Sequence, residues 1–406
     1  MTAILRLASG GDGIGQLEDG RTVFVPRSAP GDIVELTRVR EHRRYARARV
    51  GRLIHPSSLR VEPRCPHYER DECGGCQMQH LSAVAQRDAR RRFAGDALRR
   101  IGRIDVEDPE LVPAPSDWEY RTRLTLHADG ERIGLHPLDR PAEVFDLKVC
   151  PITNGSLIAL WREVSRRRHL LPSRLRHIML RLDREGARHL IVETRGAGSW
   201  HDAPALAEEL DAAGQPAVLW LRPEAGEAGL VSGENGSYPA TVFEQVHPVM
   251  GDRARAYAVA ALGELAGRHA WDLYAGIGET TEALLAAGAS VESVEADRRA
   301  VAHAESRGVP DPARVRRHTG RVEAMIGLLG PPRVVVTNPP RTGMDERVAA
   351  GLDASGAERI VYISCDPATL ARDIGRLPAY RLAEVRAFDL FPQTAHVESV
   401  ALLVPR

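Results

Sequence analysis

Two side chains far apart in the chain have types that together could do covalent chemistry. Cys365 follows an apolar run, Val361-Tyr362-Ile363, that reads as a buried strand, and precedes Asp366-Pro367, which reads as a helix start. A helix N-terminus lowers a thiol's pKa, so a thiol at that turn is expected to be a nucleophile, although lone cysteines are more often buried and inert. Glu398 and His396 stand just before a last apolar strand, residues 399–405. An acid beside such a strand acquires a raised pKa and serves as a base. His396 reads equally well as an exposed loop residue. The remaining cysteines, Cys65, Cys73, Cys76 and Cys150, form C-x7-C-x2-C with a distant fourth. Four thiolates suit a [4Fe–4S] cluster or a tetrahedral zinc. The C-x3-C-x2-C order of radical enzymes is absent.

A third group of residues reads as a cofactor pocket. "AWDLYAGIGETTEALLAAG" (270–288) predicts strand, Gly-rich turn and helix, with Gly276 and Gly278 letting the backbone approach a ligand closely. A second strand ends in Glu295, about 20 residues beyond the turn, where an acid accepts ribose hydroxyls or simply caps the next helix. The third glycine of a dinucleotide fingerprint is missing, so the spacing fits S-adenosylmethionine better than NAD. "RVVVTNPPRTGM" (333–344) is a further apolar strand, ended by two prolines that hold Asn338 at the sheet's carboxyl edge.

Thiol, base and methyl donor together suggest one reaction. A pyrimidine C5 is a poor nucleophile until a thiolate adds to C6; a base must then remove the C5 proton so that the thiol can leave. Cys365 would supply the covalent step and Glu398 the proton abstraction.

The 406 residues have room for two or three domains, and the formal net charge of zero announces no partner by itself. Residues 38–52, "RVREHRRYARARVGR", nevertheless carry seven arginines against one glutamate. Lys148 is the only lysine. No apolar run approaches membrane-spanning length, and the N-terminus lacks a secretory pattern, so a cytoplasmic monomer is expected. Residues 1–60 alternate short strands with Gly, Pro and Asp turns, as in a five-stranded barrel. Residues 61–230 read as an α+β domain, with an amphipathic helix over 80–103 that carries Val84, Phe93, Ala94, Ala97, Leu98 and Ile101 on one side, followed from about residue 118 by mainly antiparallel sheet. That helix could equally pack on the last domain. After a Gly-rich hinge, "VSGENGS" (231–237), strands and helices alternate through the C-terminal domain, 231–406, which argues for a doubly wound parallel sheet. Residues 38–52 and the faces of 80–103 and 161–184 are arginine-rich enough to contact phosphates, or to be solvated surface.

Nearly end to end, the chain resembles the bacterial [4Fe–4S]-containing RNA uracil-5 methyltransferases, notably the 23S rRNA enzymes with a TRAM domain. "GGDGIG" and "VPRSAPGD" look like the TRAM module, an OB-like RNA-binding barrel. The resemblance implies a C-terminal α/β Rossmann-like class I methyltransferase domain, and Cys65, Cys73, Cys76 and Cys150 as ligands of a structural cluster. It further implies Phe243 of "VFEQVHP" in the active-site region, and Gln245, Tyr274, Glu295 and Asn338 at cofactor-contacting positions beside the turn of Gly276, Gly278 and Glu279. Cys365 falls on the nucleophile and Glu398 on the base. Three residues depart from the family pattern: His247 and Glu279 stand where it has Asn, and Asn338 where it has Asp before Pro-Pro-Arg. An amide still accepts from uracil N3–H and donates to O4. The expected activity is S-adenosylmethionine-dependent C5 methylation of a uridine in RNA, 23S rRNA ahead of tRNA. The alternatives are an RNA-binding or ribosome-assembly factor without catalysis, and an RNA cytosine-5 enzyme.

Overall fold

The computed structural model describes every residue except 197, 235–237 and 310, so the expected hinge at 231–237 lies partly outside the described residues. The chain forms two compact units. One comprises residues 1–83, 116–241 and 392–394; the other comprises 84–115, 242–391 and 395–406.

The first unit begins with β1 (Thr2–Ala3), β2 (Arg6–Leu7), β3 (Gly13–Gln16), β4 (Thr22–Val25), β5 (Ile33–Glu41) and β6 (Tyr45–His55), in the order β1-β5-β6-β4-β3-β2. β1 pairs with β5 and β2 with β3. Between them Ile4 N donates to Asp32 O and Leu5 N to Ile14 O. Residues 2–7 are thus one bent strand bridging both edges, and the sheet closes as the expected five-stranded barrel. Closure leaves no edge strand and buries Ile4, Val23, Val25, Val34 and Ala46 inside.

After α1 (Pro66–Arg70), the chain runs through α2 (Ala83–Arg100) and β7 (Glu110–Val112), both of which join the second unit. It then returns with β8 (Arg123–Asp129), β9 (Arg132–Leu135), β10 (Phe145–Asp146), α3 (Gly155–Arg166), β11 (Leu175–Leu182), β12 (Arg188–Thr194), α4 (Ala203–Ala212), β13 (Val218–Pro223) and β14 (Gly229–Ser232). These strands form one sheet, antiparallel except between β12 and β13. Alternate residues such as Leu124, Leu126, Ile178, Leu180, Leu190 and Val192 are buried in one core with Leu157, Leu160, Trp161, Leu206 and Leu210 of the two helices.

The second unit holds α5 (Pro248–Ala261), β15 (His269–Leu273), α6 (Glu279–Ala286), β16 (Ser290–Glu295), α7 (Arg298–Ser306), β17 (Val315–Thr319), α8 (Val322–Met325), β18 (Val334–Thr337), α9 (Glu346–Asp353), β19 (Arg359–Ser364), α10 (Pro367–Ile374), β20 (Tyr380–Phe388) and β21 (Glu398–Pro405). Strand order is β17-β16-β15-β18-β19-β21-β20-β7, with the first five parallel and β21 inserted antiparallel beside β19. Each face of this sheet has its own apolar core, as the near-continuous Val/Ile/Leu strands require.

Helix α2 departs from the face its periodicity predicts. Phe93, Ala94 and Leu98 are buried, but Val84 is 75% and Ile101 51% exposed. Arg90 is buried instead, because Asp389 receives its guanidinium at 2.8 Å and that of Arg87 at 3.3 Å. An isolated buried charge is costly, so the acid is what allows an arginine on the inner face. Asp389→Ala should destabilise the protein by about 3–5 kcal/mol, read as a lower urea midpoint.

Candidate active site and cysteine cavity

The carboxyl ends of β15, β18 and β19 meet where strand order reverses, the place at which open α/β sheets bind ligands. β15 delivers Tyr274 and the Gly-rich turn; Tyr274, Gly276 and Gly278 all have positive φ, of 64°, 57° and 87°. A Cβ built on Gly276 meets no atom within 4 Å, so the backbone there faces open space suited to a ligand. The turn is tied down from both sides. Glu295 Oε2 accepts from Gly276 N at 2.8 Å, and its Oε1 accepts from Asp297 N at 2.7 Å. Thr281 donates to buried Asp272 Oδ2 at 2.5 Å, and burial pushes that carboxyl up to about 6. Glu295 therefore holds the turn and the head of α7, a task beyond the ribose contact or helix cap that its position suggested.

Gln245, Tyr274, Gly276, Glu279, Asn338 and Glu398 line a single pocket, together with Phe243 and Arg255. Gly278, Glu295 and Cys365 are outside that lining. Gln245 reaches the wall because α5 carries Gly251 against it; a Cβ there would stand 3.0 Å from the Gln245 Cβ. His247 caps α5 in a buried position, and burial lowers its pKa to about 4. Glu279, the extra negative charge in the turn, is paired: Arg255 Nη2 donates to its Oε2, and Arg255 also meets Asp252 at 2.7 Å.

Cys365 and Glu398 come together through strand register. Ser364 of β19 opposes Ser399 of β21, so the next positions outward are Cys365 and Glu398. Burial raises the Cys365 thiol, the neighbouring Glu398 raises it further, and Arg341, which hydrogen-bonds the thiol, opposes both. The depressed thiol expected from the helix start is corrected here. The Asp366 carboxylate caps α10, accepting from Ala368 N at 2.8 Å and Thr369 N at 3.2 Å, so those free N–H groups serve the cap. Glu398 is 1% exposed, and burial drives its carboxyl up to about 8 against the pull of Arg341. Its Oε2 is buried without a hydrogen-bond partner. Arg341 also meets His396 Nε2 at 3.3 Å, and Phe391 lies against that ring. Arg341 and Arg255 had no role in the sequence reading. Arg341 was visible as the end of Asn-Pro-Pro-Arg, whereas nothing local linked Arg255 to Glu279.

In the first unit Cys65, Cys73, Cys76 and Cys150 all line one cavity of about 170 Å³. Burial foremost, with Cys150 adding its own charge, raises the thiols of Cys65, Cys73 and Cys76. Gly75 N donates to Cys73 Sγ at 3.4 Å. Among the described residues no three His, Cys, Asp or Glu side chains are grouped for a single metal ion. The four cysteines share this one cavity wall.

On the surface, Arg38, Arg40, Arg43 and Arg44 are exposed at the β5–β6 hairpin, with His42 stacked on Tyr45 at 4.4 Å. The 161–184 stretch is largely committed within the protein: Arg167 to Glu163 and Glu209, Arg168 to Asp146. Among the described residues no helix is long and apolar enough to cross a membrane.

The model for the tRNA (uracil-5-)-methyltransferase family matches residues 332–406, and that for the TRAM domain of tRNA (uracil(54)-C(5))-methyltransferases matches residues 1–59. The chain is 32% identical to an uncharacterized RNA methyltransferase of Corynebacterium glutamicum, over 99% of this chain and 95% of that protein. It is 32% identical to the 23S rRNA (uracil(1939)-C(5))-methyltransferase RlmD of Azoarcus sp., over 97% and 96%. Among solved structures, the tRNA (uracil-54, C5)-methyltransferase of Pyrococcus abyssi, in complex with S-adenosyl-L-homocysteine, superposes over 100% of both chains with a TM-score of 0.73 at 23% identity. That likeness shows the shared fold.

The raised Glu398 carboxyl has a stability consequence. Its unfolded value of 4.5 and folded value of about 8 mean that folded protein loses stability as pH rises between them. Glu398→Gln removes the titration, so melting temperatures from pH 5 to 9 should fall more steeply for the wild type than for the variant.

Proposed function

Because the chain belongs to the RNA uracil-5 methyltransferase family, we propose that it methylates C5 of a uridine in 23S ribosomal RNA, with Cys365 as nucleophile and Glu398 as base. The observation that carries this reading is the adjacency of a thiol, a buried unpartnered carboxylate oxygen and a shared guanidinium beside the ligand crevice. The relatives aligned over nearly the whole chain favour 23S rRNA over tRNA as substrate. S-adenosylmethionine supplies an electrophilic methyl group when bound, and Gln245, Tyr274, Gly276, Gly278, Glu279, Glu295 and Asn338 are the residues that would hold it.

The geometry supports the following sequence of steps. The target base leaves its stack, at a cost of a few kcal/mol. Cys365 gives up its thiol proton to solvent, and the thiolate, its charge offset by Arg341, adds to C6 and makes C5 electron-rich. C5 bonds to the methyl group as that group's bond to sulfur breaks. Glu398 takes the C5 proton, and the electron pair released expels Cys365 from C6. Arg341 faces both anions, lowering the cost of charge on whichever carries it. Asn338 reads the uracil edge. The exposed hairpin arginines give the barrel a phosphate-binding surface. We assign Cys65, Cys73, Cys76 and Cys150 to a structural [4Fe–4S] cluster, since all four line one cavity and four thiolates suit such a cluster. The enzyme would work as a monomer in the cytoplasm.

Anaerobically purified protein should transfer label from S-adenosylmethionine to unmodified 23S rRNA as 5-methyluridine, with a rate that climbs through pH 8 as Glu398 ionises. Cys365→Ala should abolish transfer. Glu398→Gln should leave C5 protonated and accumulate an RNA–protein adduct stable to denaturing gels. Tight RNA binding without transfer would support the non-catalytic alternative, and label in 5-methylcytidine would redirect the substrate to cytosine. Iron analysis should find about four irons per chain, lost in Cys76→Ser; stoichiometric zinc would overturn the cluster.

A further inference from the structure

The ion pair in the pocket wall carries an inference beyond the reaction. Arg255 and Glu279 lie side by side in the lining, next to the Gly-rich turn. Their side chains are only 14% and 17% exposed. A latch between α5 and α6 would serve equally well outside the pocket, and a neutral pair would avoid the desolvation cost. Two opposite charges held side by side in a ligand pocket are, however, the complement of a zwitterion.

Resting on the reading of this pocket as the methyl donor's site, we propose that Arg255 and Glu279 are the specificity-determining pair for the donor's amino-acid end. Arg255 receives its carboxylate and Glu279 its ammonium. In the empty pocket each satisfies the other. Entry of a zwitterionic tail exchanges one ion pair for two, so no charge is left buried and alone. Arg255 stays oriented throughout by Asp252 on its own helix, at 2.7 Å. The same logic accounts for an acid in the turn: its negative charge is balanced within the wall, and it discriminates between ligand tails. A tail with ammonium alone would meet Arg255 as a like charge. A tail with neither group would be indifferent to the pair.

The test is calorimetric, on the intact chain and without RNA, using three ligands: S-adenosylhomocysteine, its decarboxylated analogue, and 5′-methylthioadenosine, which lacks the tail. Arg255→Gln should weaken S-adenosylhomocysteine by about tenfold to a hundredfold, leave methylthioadenosine unchanged, and leave the decarboxylated analogue unchanged or tighter. Glu279→Gln should weaken both ammonium-bearing ligands and spare methylthioadenosine. The swap Arg255→Glu/Glu279→Arg, made together with Asp252→Asn so that the new acid meets no like charge on α5, keeps a latch between the helices, so it should melt like the Asp252→Asn variant yet bind S-adenosylhomocysteine poorly. Parallel weakening of all three ligands in the single variants, or full affinity in the swap, would overturn the proposal and leave the pair a structural latch. A wild type that binds methylthioadenosine but gains nothing from the amino-acid tail would overturn it too. A wild type that binds none of the three would instead remove the donor-site reading on which it rests.

Discussion

The antiparallel insertion of the last strand beside β19 is the constraint on which the site depends. Parallel strands bring their carboxyl ends to one edge of a sheet, and β15, β18 and β19 do so with the Gly-rich turn, Asn338 and Cys365. A parallel neighbour would add another C-terminal residue. Because β21 runs the other way, it contributes its first residue there, and the register that pairs Ser364 with Ser399 sets Glu398 beside Cys365. Cys365 and Glu398 are thus held by backbone hydrogen bonds of the adjoining strands, and their relative position does not depend on a flexible loop.

That placement explains the site's electrostatics. At the start of a central strand Glu398 loses its water, and one carboxylate oxygen is left without a partner. Burial favours the neutral acid and thereby produces a group that exchanges its proton near physiological pH, as a base requires. Two potential anions side by side would repel each other strongly. The positive charge of Arg341 moderates both. Arg255 performs the corresponding task for Glu279 on the donor side of the crevice, so each unusual acid in the pocket has a guanidinium of its own.

Anchoring of the turn follows a related economy. Glu295 uses both oxygens on backbone amides, one in the Gly-rich turn and one at the head of α7. Asp272, one strand position before Leu273, grips α6 through Thr281. Glu295, which reads in sequence as a ligand contact or a helix cap, is therefore also what holds the turn's left-handed backbone in place, with Asp272 supporting it from beneath. Each carboxylate oxygen has a second lone pair, so anchoring and ligand binding are compatible.

Much of the molecule was legible from local pattern. Turn spacing announced the barrel, alternation the middle sheet, and regular strand–helix alternation the doubly wound sheet, because side-chain periodicity reports which faces are buried. The four cysteines, Cys365 and Glu398 stood out by residue type alone. What the chain could not disclose locally was every interaction that depends on which charges become neighbours. Helical periodicity put Val84 and Ile101 inside and Arg90 outside, but Asp389, remote in sequence, reversed that for Arg90. The helix start after Cys365 promised a low thiol pKa, but burial and Glu398 raise it. Glu279 looked like an uncompensated charge until Arg255 was beside it. Hydrophobic periodicity is a short-range property of the chain. Desolvation and ion pairing are set by distances between residues that only the folded sheet brings together.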